Sequence, residues 1–326
     1  MSAMPYPWQD SLWRRVLRQW REDRLPHALL LAGPSGLGKR HFAEAMAKSL
    51  LCEKTADDGL ACGICHSCRL FESGAHPDYS DLGPEAPGKA IRIDEVRRLI
   101  EFIGLTRGLG KYKIGLIESA EALNAAAANA LLKTLEEPPE GALLLLVSNR
   151  PGTLPATVRS RCQALPFSRP AAEKSQSWLE GELEPAQKPL AALLLSRAGG
   201  APLAALELGD AQRIGREEAW LDELSRAHFD AGELADRMMG TDPAQALDVY
   251  VALLRDLVRC VLGAPLREIP SRTRELQALS GGVHLQVVFA CLDQAERLRT
   301  QLSKGLNMAL QMEELLRRYQ AAVASA

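Results

Sequence analysis

One stretch of this chain has the residue types and spacing of a phosphate-binding loop. Residues 33–40 read Gly-Pro-Ser-Gly-Leu-Gly-Lys-Arg and fit the pattern Gly-x-x-x-x-Gly-Lys, between an apolar run and a helical pattern. Glycines let backbone N–H groups turn toward a phosphate, and a helix N-terminus and a lysine add positive charge. The candidate phosphate-binding residues are therefore Gly33, Gly36, Gly38 and Lys39.

The residues around this loop argue against metal-assisted hydrolysis. Arg40 occupies the position where a Ser or Thr hydroxyl would bind Mg²⁺, and a guanidinium has no lone pair to offer a metal. Glu118 ends an apolar run and could serve a metal, but Ser119 stands where a second acid would orient water. We expect no ATP hydrolysis. Two readings of the loop stay open, a weak ATP or ADP site and a plain turn without ligand, and Glu118 could equally be a solvated strand end.

Four cysteines form a second candidate site. Cys62, Cys65 and Cys68 make a double Cys-x-x-Cys, and Cys52 lies ten residues upstream. Four thiolates close a tetrahedral shell around Zn²⁺ with no open position, which is typical of a structural site. Residues 52–80 are too few and too polar to fold alone, so the metal would stabilise them. An iron–sulfur cluster and plain reduced thiols are the alternatives, and the lack of a Cys-Pro after the triplet weakens the first.

The remaining ligand candidates have simpler interpretations. His66 lies between two of the cysteines and is expected to face solvent. Cys260 and Cys291 lie in helical patterns and are expected to be buried apolar residues.

Composition limits the classes of protein this chain can belong to. It has 326 residues, 47% hydrophobic and 25% charged, with a net charge of -2, which indicates a globular protein of two or three domains. The charge excludes a generic polycation, and 5% aromatic residues argue against a base-stacking surface. No apolar run approaches the roughly 18 residues that span a bilayer, and residues 1–10 lack a signal-peptide pattern. We expect a cytoplasmic protein without membrane contact, whose clustered cysteines bind metal rather than form disulfides.

The elements that would position these residues alternate in type. Short apolar runs separated by helical patterns predict a parallel sheet covered on both faces, hence an α/β fold. After Pro170 the strand signals vanish and nearly everything is helical. The predicted strands are 28–32, 114–117, 143–147 and 163–167, and the main predicted helices are 11–24, 39–51, 93–103, 124–137, 244–262 and 287–302.

Two arginines precede the last predicted strand. Arg159 and Arg161 are two residues apart and point the same way if the segment is extended. They are either surface arginines that pair with local acids or groups presented to a phosphate held by a neighbouring subunit.

Several stretches together resemble bacterial clamp-loader subunits of the AAA+ class. The stretches are 25–34 (LPHALLLAGP), the four cysteines, 128–139 (ANALLKTLEEPP) and 160–162 (SRC). The resemblance is dense over residues 25–167 and thin over 170–208. It implies a P-loop α/β domain over 1–168 with a zinc module inserted at about 52–80, a small helical lid domain over 169–208 and a helical collar domain for oligomerisation over 209–326.

The resemblance also assigns roles. Arg161 takes the place of an arginine finger that enters the ATP site of the adjacent subunit, and Leu203 stands where ATP-hydrolysing relatives carry a sensing arginine. With Arg40 and Ser119, three groups needed for hydrolysis are missing, so the resemblance implies a non-hydrolysing structural subunit. The zinc ligands it implies are Cys52, Cys62, Cys65 and Cys68.

The implied partners are those of a DNA polymerase III clamp loader: the gamma or tau ATPase subunits, the delta subunit, the sliding clamp and primer-template DNA. Two alternatives stay open. One is an ATP-hydrolysing clamp-loader motor that uses Lys39 and Glu118, and the other is a zinc-stabilised nucleic-acid-binding module outside replication.

Overall fold

The computed structural model describes residues 5–86, 89–226, 228–299, 301–302 and 307–323. The chain divides into two compact units. The first comprises Met1–Gly181 with Gly200–Ala205, and the second comprises Glu182–Gly199 with Leu206–Ala326.

A five-stranded parallel sheet forms the centre of the first unit. The strand order is β2-β3-β4-β1-β5. Leu29 and Leu31 of the first strand pack in the core on one face, and Ala28 and Leu30 pack in the core on the other, so both faces are covered as predicted. The strands are β1 (Ala28–Ala32), β2 (Tyr79–Leu82), β3 (Lys113–Ile117), β4 (Ala142–Ser148) and β5 (Gln163–Pro166).

Helices flank the sheet, and those predicted within residues 11–137 are confirmed to within three residues at each end. The Asn124 side chain begins the Ala- and Leu-rich helix by accepting from the Ala127 N–H at 2.8 Å, and Pro138 follows its end. The helices up to Glu182 are α1 (Asp10–Arg21), α2 (Lys39–Leu51), α3 (His66–Glu72), α4 (Ile93–Gly104), α5 (Ala125–Glu136), α6 (Ala156–Arg159) and α7 (Ala172–Glu182).

Strand β2 was not predicted from the sequence. It begins at Tyr79, within the span assigned to the cysteine module, and it lies at an edge of the sheet where it pairs only with β3. Its residues read Tyr-Ser-Asp-Leu and none is fully buried, so it lacks the apolar run that marks a strand covered on both faces. Helix α3 inside the module was also missed, because a seven-residue helix is too short to show periodicity.

Helices are the regular elements of the second unit in the residues described, as predicted. Two buried tyrosines make hydrogen bonds between its helices. The Tyr250 hydroxyl donates to the Leu315 carbonyl, and the Tyr319 hydroxyl donates to the Leu224 carbonyl, both at 2.9 Å. The remaining helices are α8 (Ala191–Arg197), α9 (Pro202–Leu208), α10 (Ala211–Leu224), α11 (Ala231–Thr241), α12 (Pro243–Val261), α13 (Thr273–Leu279), α14 (Leu285–Arg299) and α15 (Met308–Val323).

The cysteines of the helical unit divide into two cases. Cys291 on α14 is buried as expected, whereas Cys260, one residue before the end of α12, is only half-buried, because the last turn of that helix emerges from the core. Among the described residues no single helix has the length and apolar character to cross a membrane, and one bent helix pair, Lys188–Arg197 with Pro202–Leu208, meets that criterion by length and composition only.

Candidate nucleotide site and metal centre

The predicted phosphate loop connects β1 to α2. Gly36 and Gly38 have φ of 72° and 76°, a region that side-chain-bearing residues rarely adopt. A Cβ added at Gly36 would lie 2.7 Å from the Ala204 side chain, and one added at Gly38 would lie 2.6 Å from the Tyr6 ring. The glycines therefore serve both the turn and the close packing around it. The N–H of Gly33 donates to the Ser148 carbonyl at 3.2 Å, which joins the loop to β4.

The lysine of the loop is turned back onto its own chain. Lys39 is 4% exposed, and its Nζ donates to the carbonyl of Pro34. Burial lowers the pKa of Lys39 to about 8, against the opposing charge of Glu121. The ammonium is thus satisfied by the loop itself.

The guanidinium of Arg40 lies among three carboxylates. Arg40 Nε donates to Glu44 at 2.7 Å, Nη1 pairs with Glu118, and Nη2 lies 3.6 Å from Asp81. Burial raises the pKa of Glu118 above its usual value even though Arg40 opposes the rise. Three carboxylates from α2, β2 and the end of β3 therefore converge on one fixed positive charge.

The end of β3 holds a polar group that sequence reasoning overlooked. Ser119, the second residue after the strand, has a left-handed conformation with φ of 50°. Two residues on, Glu121 accepts a hydrogen bond from the Asn149 N–H at 3.1 Å, while its other carboxylate oxygen is buried without a partner among the described residues. Glu121 was visible in the run Glu-Ser-Ala-Glu, but only the fold brings it near Lys39 and the end of β4.

The N-terminal segment covers the carbonyl side of the phosphate loop. Trp8 Nε1 donates to the Leu37 carbonyl at 3.1 Å, and Gln9 Nε2 donates to the same carbonyl at 2.8 Å and to that of Gly38 at 3.0 Å. The Tyr6 ring stacks on Trp8 with 4.9 Å between ring centroids, and Trp178 meets both rings edge-on. The sequence feature that could have indicated this contact is the aromatic run Tyr-Pro-Trp near the start of the chain.

The segment predicted to lack a sensing arginine also contacts the loop. Leu203 donates its backbone N–H to the Gly36 carbonyl at 3.1 Å, and Ala201 and Ala204 lie against Gly36. Backbone and small aliphatic side chains, rather than a cation, therefore face the phosphate loop at this point.

The four cysteines come together as predicted. Their sulfur atoms all lie within 4.8 Å of one another, with Cys52 Sγ 3.6 Å from Cys62 Sγ and 3.9 Å from Cys65 Sγ. This cluster can hold a metal ion. His66 is exposed and outside the cluster, in agreement with the sequence-based expectation.

The environment of the cluster favours at least one thiolate. Backbone N–H groups of Ile64 and Cys65 lower the pKa of Cys62 to about 6, so this sulfur is largely ionised at neutral pH. Burial raises the pKa of Cys52 and of Cys68. Ionising all four sulfurs together requires a cation among them.

The cysteine module is anchored to the α/β core by two sets of contacts. Trp13 Nε1 on α1 donates to the Asp58 carbonyl at 3.0 Å. On the other side, Ser67 Oγ lies 2.8 Å from His76 Nε2, and His76 Nδ1 accepts from the Asp78 N–H at 3.0 Å. These contacts join the module to α1 and to the start of β2.

The two arginines near β5 differ in their surroundings. Arg161 pairs with Glu136 through Nη2 at 2.5 Å and donates from Nη1 to the Thr157 carbonyl at 3.0 Å. Arg159 is exposed at the end of α6 and has no ion pair within the part of the chain the structure describes.

Comparison with known proteins shows the family of the chain. A family model described as "DNA polymerase III, delta subunit" matches residues 8–171. A DNA polymerase III subunit delta-prime from Yersinia pestis is 34% identical over 98% of this chain and 96% of its own length. The chain belongs to the DNA polymerase III delta-prime family. The resemblance to clamp-loader subunits drawn from the sequence is thereby confirmed.

Further similar proteins cover different shares of the delta-prime chain. The delta-prime subunit of Pseudomonas aeruginosa is 47% identical over 62% of this chain, and the match spans 61% of that protein's length. The tau subunit of Escherichia coli is 33% identical over 78% of this chain and 38% of its own. A Thermotoga maritima gamma subunit-related protein aligns over 96% of this chain and 98% of that chain, with a TM-score of 0.49 and 17% identity.

Proposed function

We propose that this delta-prime family member is a non-hydrolysing structural subunit of a clamp loader. The observation that carries the proposal is the Arg40 guanidinium bound by Glu44, Asp81 and Glu118. A divalent cation at this position would have to displace a covalently attached positive charge. Ser119 supplies no carboxylate to orient water, and Lys39 is bound by its own loop. The retained lysine is the feature that favours the alternative, an ATP-hydrolysing motor subunit.

We further propose that Arg161 acts in trans. In a ring of subunits its guanidinium would offset charge on the γ-phosphate of a nucleotide held by the adjacent ATPase subunit. An arginine supplied in this way contributes about 10³- to 10⁵-fold in rate. Glu136, at the end of the family-like ANALLKTLEEPP stretch, already binds Arg161 as an anion.

We propose Zn²⁺ as the ion of the cysteine cluster. Tetrahedral zinc with Zn–S bonds of about 2.3 Å separates the sulfurs by about 3.8 Å. The two separations of 3.6 and 3.9 Å at Cys52 match this spacing. All four donors are thiols, so the site is structural, and the metal supplies no catalytic chemistry.

The proposed partners follow from the same role. They are the gamma or tau ATPase subunits, the delta subunit, the sliding clamp and primer-template DNA, in the cytoplasm. We propose domain limits of 1–168, 169–208 and 209–326, with the last domain as the oligomerisation collar. Exposed large apolar side chains in the helical unit support an interface there: Leu262, Phe289 and Leu310 are 66%, 50% and 59% exposed.

Reconstitution tests the proposal. The purified chain should release no phosphate from ATP, and Arg161→Ala should assemble normally yet lower the DNA-dependent ATPase of the complete loader at least tenfold. Arg159→Ala is the matched control, because its guanidinium is exposed and two residues away. Phosphate release by the isolated chain, abolished by Lys39→Ala, would instead support the motor alternative. Unchanged turnover with Arg161→Ala would remove the finger role.

A further inference from the structure

The guanidinium of Arg161 is bound within its own subunit. Its Nη2 lies 2.5 Å from Glu136 Oε1, and its Nη1 donates to the Thr157 carbonyl at 3.0 Å and lies 3.4 Å from Ser160 Oγ. Both terminal nitrogens are therefore engaged by groups of the same chain. A phosphate that approaches from outside meets an arginine whose charge is already balanced by a carboxylate.

The backbone around Arg161 is anchored by buried neighbours and a hydrogen bond. Val158 and Cys162, on either side, are 0% and 8% exposed in the core. The Cys162 N–H also donates to the Arg159 carbonyl at 3.3 Å. Movement of the finger toward a partner must consequently come from its long side chain, which Glu136 now holds.

Glu136 is singled out from its neighbour by geometry. It is the last residue of α5, and that helix packs against α6. Glu137 follows outside the helix with an exposed side chain and makes no ion pair among the described residues. Of these two adjacent carboxylates, Glu136 therefore contacts Arg161 and Glu137 does not.

We propose that Glu136 is a positioning residue that holds Arg161 in a retracted state and competes with the neighbouring subunit's nucleotide for it. The inference rests on the proposed finger role of Arg161. The side chains of Arg161 and Glu136 are 35% and 49% exposed, so the pair lies where an incoming phosphate reaches it. A phosphate carries more charge than a carboxylate and accepts the same paired N–H bonds, so it can replace Glu136 at modest cost.

Kinetics of the reconstituted loader test this competition. Glu136→Gln keeps the size of the side chain and removes its charge. We expect it to lower the KM of the loader for ATP about threefold without lowering kcat. A threefold change corresponds to the energy typical of a half-exposed ion pair. Glu137→Gln should change neither value. A fall in kcat with Glu136→Gln would show that the carboxylate supports the active position instead, and an unchanged KM would show that it does not compete; either result overturns the proposal.

A second measurement uses the free subunit and does not depend on turnover. Phenylglyoxal modifies accessible arginines, and mass spectrometry of the peptide that contains residues 159–161 reports each rate. Glu136→Gln should raise the modification rate of Arg161 about threefold and leave that of Arg159 unchanged, with the melting curve checked for a native fold. Equal rates for Arg161 in the native protein and the variant would overturn the proposal.

The two proposals fail in distinguishable ways. If Arg161→Ala leaves the ATPase of the loader unchanged, the finger role is wrong whatever the modification rates show. If Arg161→Ala lowers it while Glu136→Gln alters neither KM nor the reactivity of Arg161, the finger role stands and only the retracted state is wrong.

Discussion

At the scale of single residues, Arg40 carries the strongest argument about this site. Its side chain is 53% exposed and contacts three carboxylates that come from separate parts of the sheet and α2. Such a guanidinium balances charges that a divalent cation would balance in a metal-dependent relative. Under the proposed non-hydrolysing role, Arg40 both replaces a hydroxyl ligand and takes the place of the metal ion.

Removal of this guanidinium has a measurable electrostatic consequence. The Arg40→Ser variant leaves three carboxylates to repel one another, those of Glu44, Asp81 and Glu118. Its free energy of unfolding should therefore be lower than that of the native protein by about 1 kcal/mol at low ionic strength. Added salt should recover much of the loss by screening. Urea unfolding at several NaCl concentrations measures both effects.

A single exposed pair provides the control. Arg14→Ser breaks only the pair with Asp10 on α1, one turn away, and should cost about 0.3 kcal/mol. If Arg40→Ser were as stable as the native protein at low salt, the three carboxylates would not be coupled through Arg40.

At the scale of elements, the cysteine module is a small structure held between α1 and β2. Its loop receives a hydrogen bond from Trp13, and Leu17 fills the space beside Gly59. Cys65 is the N-cap of its helix α3, and Cys65 Sγ accepts from the Cys68 N–H at 3.3 Å. The same sulfur is a proposed metal ligand and the cap of the helix, so binding of the proposed metal would support the helix.

Loss of the metal should unfold the module before the sheet. We expect Cys65→Ser, or treatment of the native protein with a strong chelator, to release bound zinc and to increase hydrogen exchange over residues 52–76, while β3 and β4 stay protected. Metal analysis and exchange mass spectrometry measure the two effects. Cys260→Ser, outside the cluster, should retain the metal. Undiminished protection of α3 after complete metal loss would contradict the structural role.

A second element-scale feature is the buried acid that joins β2 to the loop after α4. Asp78 is 0% exposed and accepts from the N–H groups of Gly108 and Leu109, both at 2.7 Å, and Lys113 Nζ lies 3.4 Å away. Burial acts to raise the pKa of Asp78, but the backbone N–H groups and Lys113 together hold it below its ordinary value. The carboxylate therefore stabilises the fold in its ionised form.

Asp78→Asn should lower the free energy of unfolding by about 3 kcal/mol near neutral pH, because it leaves the buried Lys113 without its counter-charge. A depressed pKa contributes stability that is fully present above the unfolded value and lost as pH falls through the folded value. The difference between the native protein and the variant should therefore shrink below about pH 4. Urea unfolding across pH measures it. Asp94→Asn, at an exposed acid, should have little effect, and a pH-independent difference would contradict the ionised state.

At the scale of the whole molecule, the family model and the candidate sites fall in the first unit. The family model covers residues 8–171, and that range contains the phosphate loop, the cysteine cluster and Arg161. The second unit carries exposed apolar side chains and a separate core around Tyr250 and Tyr319. The roles proposed above for Arg161 and for the helical unit therefore fall in different units of the chain.

Much of this organisation is determined by local sequence. Apolar runs such as 28–32 and 142–148 must be buried on both faces, which requires a covered parallel sheet, and Pro138 stops α5 whatever surrounds it. The phosphate loop and the four cysteines depend on residue type and short spacing, so they were predictable as candidate sites. Strand β2 was not, because its polar edge residues carry no such signal.

Only the tertiary structure decided how distant groups meet. Arg40 pairs with Asp81 and Glu118, and Arg161 pairs with Glu136. Neither contact follows a regular spacing along the sequence. The contact of Trp8 and Gln9 with the phosphate loop likewise depends on how the chain folds back. Ion pairs and hydrogen bonds act over a few ångströms in space, and spacing along the chain predicts them only within one element.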